Sequence, residues 1–78
     1  MDKRKLNERK FKEWRQLETG EREYKMEIFG RTGWKAVYVK VVDEKENTLE
    51  FYQEIYNADN QLVEIHRKYP IDKGHKKL

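Results

Sequence analysis

Apolar and polar residues alternate along the central two thirds of the chain, and this period of two predicts β-strands. Turn signals divide the region into four predicted strands, at about residues 24–29, 34–42, 48–56 and 61–69. The segment Gly30–Gly33 is typical of a tight hairpin. For Asn57–Asn60 we predict a type I turn with its last residue in the left-handed conformation, which asparagine tolerates. Pro70 is expected to end the last strand.

The N-terminal region follows a helical period instead, and we predict an amphipathic helix over about residues 3–18. Its apolar stripe consists of Leu6, Phe11, Trp14 and Leu17. Asp2 is the predicted N-cap. The predicted fold is therefore α+β, with one N-terminal amphipathic helix packed on a four-stranded antiparallel meander sheet. A single domain is expected to span residues 1–78, with a basic tail over 70–78.

The turns also predict a strand register. Pairing Phe29 with Trp34 across the first hairpin places Tyr24, Met26 and Ile28 on the same face as the valines of the second strand. The helix would cover that face. The opposite face would then carry five aromatic side chains, including a row formed by Phe29, Trp34, Tyr56 and Leu62. Exposed aromatic side chains on a sheet suit base stacking or docking of a protein partner, or else the row is a small apolar cluster beneath the tail, with Ile71 covering it.

Two further predicted rows cross the same face. Glu27, Glu54 and Glu64 form one, which either holds a divalent cation or is neutralised by nearby lysines. We predict no metal site there, because the spacing matches no defined ligand set, and no cofactor. The other row brings Tyr38 and Tyr52 beside His66.

Composition narrows the classes of function. The chain has no cysteine, and its two histidines are too few for a zinc site unless carboxylates join them. It contains neither an apolar run of membrane-spanning length nor a secretory signal, so we expect a cytoplasmic protein without membrane partners. Residues 1–15 and 67–78 each carry a net charge of +4, and the segment between them carries −5. Basic ends favour an anionic partner, although solvated lysine-rich termini are also ordinary.

His66, Arg67 and Tyr52 are the candidate catalytic residues. RNA cleavage needs a base, an acid and a cation for the phosphate, and these side chain types can supply them without a metal. The alternative is an ordinary surface histidine stacked on a tyrosine. The candidate nucleic-acid-binding residues are Lys68, His75, Lys76, Lys77 and Tyr38.

The last third of the chain resembles small prokaryotic toxin-type proteins of the TumE kind and their uncharacterised relatives. The residues that carry the resemblance are Tyr56–Asn60, Ile65–Pro70 and the Gly74-His75-Lys76 tail. The chain is also loosely similar to RelE-type ribonuclease toxins, with one helix where those have two. The resemblance implies a toxin–antitoxin context and places His66, Arg67, Tyr69 and His75 near any active site.

Three functional hypotheses follow. The first is a small toxin-like protein that binds or acts on RNA or DNA, such as an RNA-directed toxin of a toxin–antitoxin pair. The second is a non-enzymatic interaction module, such as a phage or mobile-element inhibitor, which docks an antitoxin or host protein through the aromatic face. The third is a non-catalytic nucleic-acid binder that uses the basic ends of the chain. The sequence does not decide whether the protein is an enzyme. The aromatic face or an unpaired edge strand would also allow a homodimer.

Overall fold

A computed structural model describes residues 2–78 as one helix followed by a six-stranded antiparallel sheet. The elements are α1 (Lys3–Lys10), β1 (Glu13–Gln16), β2 (Arg22–Phe29), β3 (Lys35–Val42), β4 (Thr48–Tyr56), β5 (Leu62–Tyr69) and β6 (Gly74–Lys77). Each strand pairs with the next one in the chain, so the sheet is a meander. Within residues 2–78, no helix has both the length and the apolar character that a membrane crossing requires.

The predicted four-stranded α+β fold is wrong, because the protein is mostly β and has two additional edge strands. The predicted helix over 3–18 ends at Lys10, where Phe11 adopts an extended conformation. Trp14 then lies opposite Tyr24 in the β1–β2 ladder. The apolar stripe is therefore divided. Leu6 and Phe11 lie in α1 and at its C-cap, whereas Trp14 lies in β1 and Leu17 directly follows that strand. Backbone pairing with β2 outweighs the weak helical periodicity of this segment.

The predicted basic tail is also partly a strand. Pro70 follows the end of β5, as expected, but the chain then reverses and pairs β6 with β5. Gly74 has a φ of +70°, and its N–H donates to Asp72 Oδ1 at 2.8 Å. The predicted turn at Asn57–Asn60 is confirmed, because Asn60 has a φ of +62° and donates its N–H to the Asn57 carbonyl.

The register of the first hairpin differs from the prediction. Phe29 pairs with Lys35 rather than with Trp34, so the loop holds five residues. Because of this shift by one residue, Tyr24 and Met26 lie on one side of the sheet and the valines at positions 37, 39 and 41 of β3 lie on the other. In the second hairpin, Leu49 lies in a bulge, and Val41 is opposite Glu50.

We call the two sides of the sheet the helix face and the valine face. The helix face carries Tyr24, Met26, Tyr38, Val42 and Phe51, against which Phe11 packs. The valine face carries Val37, Val39, Val41, Tyr52 and Tyr56. Each face thus has its own small cluster of buried residues, and α1 lies against the first.

A buried polar network links the helix face to the β3–β4 turn. The Tyr24 hydroxyl donates to Glu46 Oε1, while Arg22 Nη1 donates to Glu8 Oε2 at 2.8 Å. The Arg22 guanidinium also lies 3.9 Å from the ring centroid of Trp14. Among the described residues, Glu46 Oε2 has no hydrogen-bond partner. The network therefore depends strongly on the tyrosine hydroxyl.

Replacement of Tyr24 by phenylalanine is expected to lower the free energy of unfolding by about 1–3 kcal/mol, because Glu46 loses its buried donor. Burial and the bond to Glu46 raise the pKa of Tyr24. The folded state therefore retains this proton, and the resulting stability is present below about pH 10 and lost as the pH rises further. Chemical denaturation between pH 7 and 11 should show a shallower alkaline decline for the variant. Tyr69→Phe, on an exposed ring, is the control. A variant with unchanged stability and an unchanged alkaline profile would refute this role.

Candidate nucleic-acid interface

An open groove of about 990 Å³ lies between α1 and the sheet, on the helix face. Its position follows from the short helix, which Phe11 anchors at one end. The apolar residues of the lining are Leu6, Phe11, Phe51 and Tyr69. Leu6 and Tyr69 are 51% and 45% exposed, so aliphatic and aromatic surface is open to solvent in the groove.

The rest of the lining is strongly basic, and we call the feature the basic groove. Its cations are Lys3, Arg9, Lys10 and Lys40. Glu46 is the acid among the described lining residues, and its carboxylate is already bound by Tyr24, with Arg4 Nε at 3.8 Å. The groove therefore presents a net positive charge beside exposed apolar surface.

Lys40 lies at the floor of the groove and is partly buried. Its Nζ donates to Asn7 Oδ1 at 2.9 Å, which fixes the ammonium beneath the helix. Burial lowers the pKa of Lys40, and the neighbouring cations Lys10 and Lys3 lower it further, while Glu46 acts in the opposite direction. A bound anion would relieve the repulsion among these three ammonium groups.

The basic and aromatic surface continues beyond the groove along the helix face. Lys68 Nζ lies 5.2 Å from the ring centroid of Tyr38 and 5.8 Å from that of Phe51, which also lines the groove. Gln53 Nε2 donates to the Tyr38 hydroxyl at 3.1 Å. Two of the predicted nucleic-acid-binding residues, Lys68 and Tyr38, are thus next to the groove and within cation–π distance of each other.

The other three predicted nucleic-acid-binding residues lie on β6. His75 and Lys77 pair with His66 and Glu64 and point to the helix face. Lys76 pairs with Ile65 and lies on the valine face. The tail lysines are therefore divided between the two sides of the sheet.

The structure also separates the three predicted catalytic residues. His66 lies on the helix face, whereas Arg67 and Tyr52 pair with each other on the valine face. The Arg67 guanidinium is 5.8 Å from the Tyr52 ring and donates to Glu50 Oε1 at 2.6 Å. Burial, followed by the nearby Glu54, raises the pKa of Tyr52. No single cleft brings these three side chains together in the described structure.

The predicted protein-docking residues lie at the hairpin end of the sheet. Phe29, Tyr56 and Leu62 form a row on the valine face, with Lys35 between the first two. Trp34 lies outside the row, in the hairpin loop. Phe29 is 71% exposed and Trp34 is 43% exposed. The alternative in which Ile71 covers the row is wrong, because Ile71 is itself exposed.

The predicted row of three glutamates is wrong as well. Glu27 and Glu54 lie on the valine face, both opposite Val37, while Glu64 lies on the helix face. Glu27 is 3.9 Å from Lys35 Nζ, and Glu64 contacts His75. Within residues 2–78, no group of three or more histidine, cysteine or carboxylate side chains is arranged to hold a metal ion.

Comparison of the chain with protein-family models, curated proteins and solved structures gives no match. The candidate interface therefore rests on its own geometry. Sequence reasoning did not find the basic groove, because a helix extending to residue 18 would have covered the helix face. One feature of the sequence does indicate such a groove, namely the run of cations in the first ten residues. A helix that only packs on the core does not require those cations.

Proposed function

We propose that the protein binds single-stranded nucleic acid in the basic groove. The observation that carries the proposal is the combination of four cations with an exposed aromatic ring, Tyr69, in one groove. Positively charged channels lined by aromatic side chains are how proteins hold single strands without reading their sequence. Lys68 above Tyr38 and Phe51 extends the same combination along the sheet.

Different side chains of the groove contact the phosphate backbone and the bases of the bound strand. The ammonium groups of Lys3 and Lys10 and the guanidinium of Arg9 contact phosphates, and Lys40 supplies charge from the floor. Tyr69 offers a ring on which an unpaired base stacks. Bases within a duplex are already stacked on one another, so this mode favours single strands.

The proposal is binding rather than cleavage. His66 lies across the sheet from Arg67 and Tyr52, and its two ring nitrogens contact Asp72 and His75 instead. A toxin-like role on RNA rests on the resemblance of the last third of the chain. In that role the protein would act by occupying RNA, and His66→Ala would leave RNA binding and biological effect in place.

A second candidate function, protein docking, is favoured by a separate observation at the hairpin end. The β1–β2 ladder stops at the pair Glu13–Lys25, so residues 26–29 of β2 have no neighbouring strand on that side among the described residues. The exposed Ile28 and Phe29 lie on this open edge, and Trp34 is close by in the loop. An extended segment of another protein could add a strand there. Phe29→Pro should abolish capture of such a partner without affecting RNA binding.

The direct test of the proposed function is fluorescence anisotropy with labelled single-stranded RNA, single-stranded DNA and duplex DNA across a salt series. We expect single strands to bind more tightly than duplex, with an affinity that falls linearly on logarithmic axes as salt increases. Absence of binding to either single strand at low salt would refute the proposal.

The double variant Arg9→Gln, Lys10→Gln should weaken binding of single-stranded RNA and reduce the salt slope by about 0.7 for each phosphate that is no longer neutralised. Both residues are exposed, so the fold should persist, as circular dichroism would show. The matched control is Arg15→Gln, Lys25→Gln, which removes the same charge from exposed positions on the valine face. An equal weakening in both variants would mean that net charge, and not the groove, determines binding.

A further inference from the structure

The two histidines of the chain meet across the β5–β6 ladder. His66 and His75 are directly opposite each other on the helix face. His66 Nδ1 lies 3.1 Å from His75 Nε2, and the ring centroids are 4.2 Å apart. The His66 side chain is 15% exposed and that of His75 is 48% exposed, so the pair is ordered by its neighbours but open to solvent.

The outer nitrogen of each ring contacts a carboxylate. His66 Nε2 is 2.7 Å from Asp72 Oδ1, and His75 Nδ1 is 3.0 Å from Glu64 Oε1. Asp72 Oδ1 is fixed in turn by the Gly74 N–H at 2.8 Å. A carboxylate accepts hydrogen bonds, so each contact favours the tautomer with its hydrogen on the outer nitrogen.

With these tautomers, two ring nitrogens without hydrogen lie close together. When both rings are neutral and both outer nitrogens carry hydrogen, His66 Nδ1 and His75 Nε2 are both acceptors at 3.1 Å. Such a contact is repulsive unless a cation lies between the nitrogens. The cation is either one additional proton or a metal ion.

The spacing of the two nitrogens is close to what a metal ion requires. Zinc–imidazole bonds are about 2.0–2.1 Å long, and two of them at a tetrahedral angle place their nitrogens about 3.3–3.4 Å apart and their ring centroids about 5 Å apart. The nitrogens here are 3.1 Å apart and the centroids 4.2 Å apart, so the half-exposed His75 ring must rotate outward by about 1 Å for both nitrogens to point at one ion. Histidines that bind metals characteristically give their other ring N–H to a carboxylate, as both rings do here.

We propose that His66 Nδ1 and His75 Nε2 form a two-histidine site for a divalent transition-metal ion of the zinc, nickel and copper class. The carboxylates that a site with only two histidines requires act here as positioning groups, because Asp72 and Glu64 orient the rings through their outer nitrogens. Water completes the coordination, as in an open site with fewer protein ligands than a structural zinc site. Imidazole ligands select these ions over Mg²⁺ and Ca²⁺, which require oxygen donors. The ion would fasten β6 to β5, so its binding should also stabilise the protein against heat. The site does not include the basic groove and does not depend on nucleic-acid binding.

The test is isothermal titration calorimetry of tag-free protein with Zn²⁺, with Mg²⁺ as the comparison ion. We expect one Zn²⁺ per chain, no Mg²⁺ binding, and a rise in melting temperature with Zn²⁺ that is absent with Mg²⁺. His75→Asn should abolish the Zn²⁺ heat and the thermal shift. Asp72→Asn should weaken Zn²⁺ binding by about 10- to 100-fold, because it loosens the orientation of His66. Asp59→Asn, which removes the same charge in the β4–β5 turn, should bind like the parent protein.

Electron paramagnetic resonance of the parent protein with one equivalent of Cu²⁺ tests the same site without relying on a variant. Hyperfine coupling to two imidazole nitrogens is expected. The proposal is overturned if the parent protein binds no Zn²⁺, if binding survives His75→Asn, or if the Cu²⁺ spectrum shows fewer than two nitrogens.

Discussion

Replacement of Phe11 by alanine is expected to lower the free energy of unfolding by about 3–5 kcal/mol. The Phe11 side chain is 1% exposed and packs in the cluster with Tyr24 and Val42. Its ring centroid lies 5.8 Å from that of Tyr24. A decrease of this size is a large part of the total stability of a small domain, so the variant should be partly unfolded at 37 °C. Chemical denaturation followed by circular dichroism measures the effect.

Leu6→Ala is the matched control for Phe11→Ala. Both residues belong to the apolar stripe that predicts a core-facing helix, but Leu6 is 51% exposed at the rim of the basic groove. We expect a decrease below about 1 kcal/mol for this exposed side chain. Equal, large decreases in the free energy of unfolding of the two variants would contradict the structure. They would instead support a longer helix that covers the sheet.

Replacement of Tyr69 by alanine is expected to weaken binding of single-stranded RNA by about 1–3 kcal/mol, which corresponds to roughly 5- to 150-fold in the dissociation constant. Tyr69 ends β5 and offers an exposed ring to the groove, so its removal costs a base-stacking surface and little packing. Tyr69→Phe should retain most of the affinity, because the ring and not the hydroxyl stacks. Fluorescence anisotropy at fixed salt measures both variants.

Trp34→Ala is the control for Tyr69→Ala. Trp34 is an aromatic residue of similar exposure, at 43%, but it lies in the β2–β3 loop and outside the groove. We expect RNA binding to be unchanged. If Trp34→Ala weakens RNA binding and Tyr69→Ala does not, the interface is at the hairpin end, and the basic groove is not the binding site.

Much of the sheet was predictable because alternation and turn residues act locally. The predicted bounds of β2 to β5 differ from the observed ones by two residues or fewer, and the Asn60 conformation was identified from asparagine alone. Register was less predictable, because one additional loop residue before Lys35 reverses the face of every side chain in β2. The glycines of Gly30–Gly33 indicate a turn but do not fix whether the loop holds four residues or five.

The edge strands and the site required tertiary information. Residues 13–16 contain one apolar residue, Trp14, so no alternation marks β1, and residues 74–77 contain none in β6. Their conformation comes from pairing with β2 and β5 rather than from propensity. The contact between His66 and His75 follows only from that pairing. The basic groove likewise exists only because the helix stops at Lys10.

The most direct test of the central claim is a nitrogen-15 heteronuclear NMR titration with a short single-stranded RNA. The account predicts that the largest amide shift changes cluster on α1 and on the groove-facing parts of β3 and β4, around Lys10, Lys40 and Phe51, and at Tyr69. Changes confined to the hairpin end, around Phe29 and Trp34, or to the valine face would contradict the account, as would a spectrum that RNA leaves unchanged.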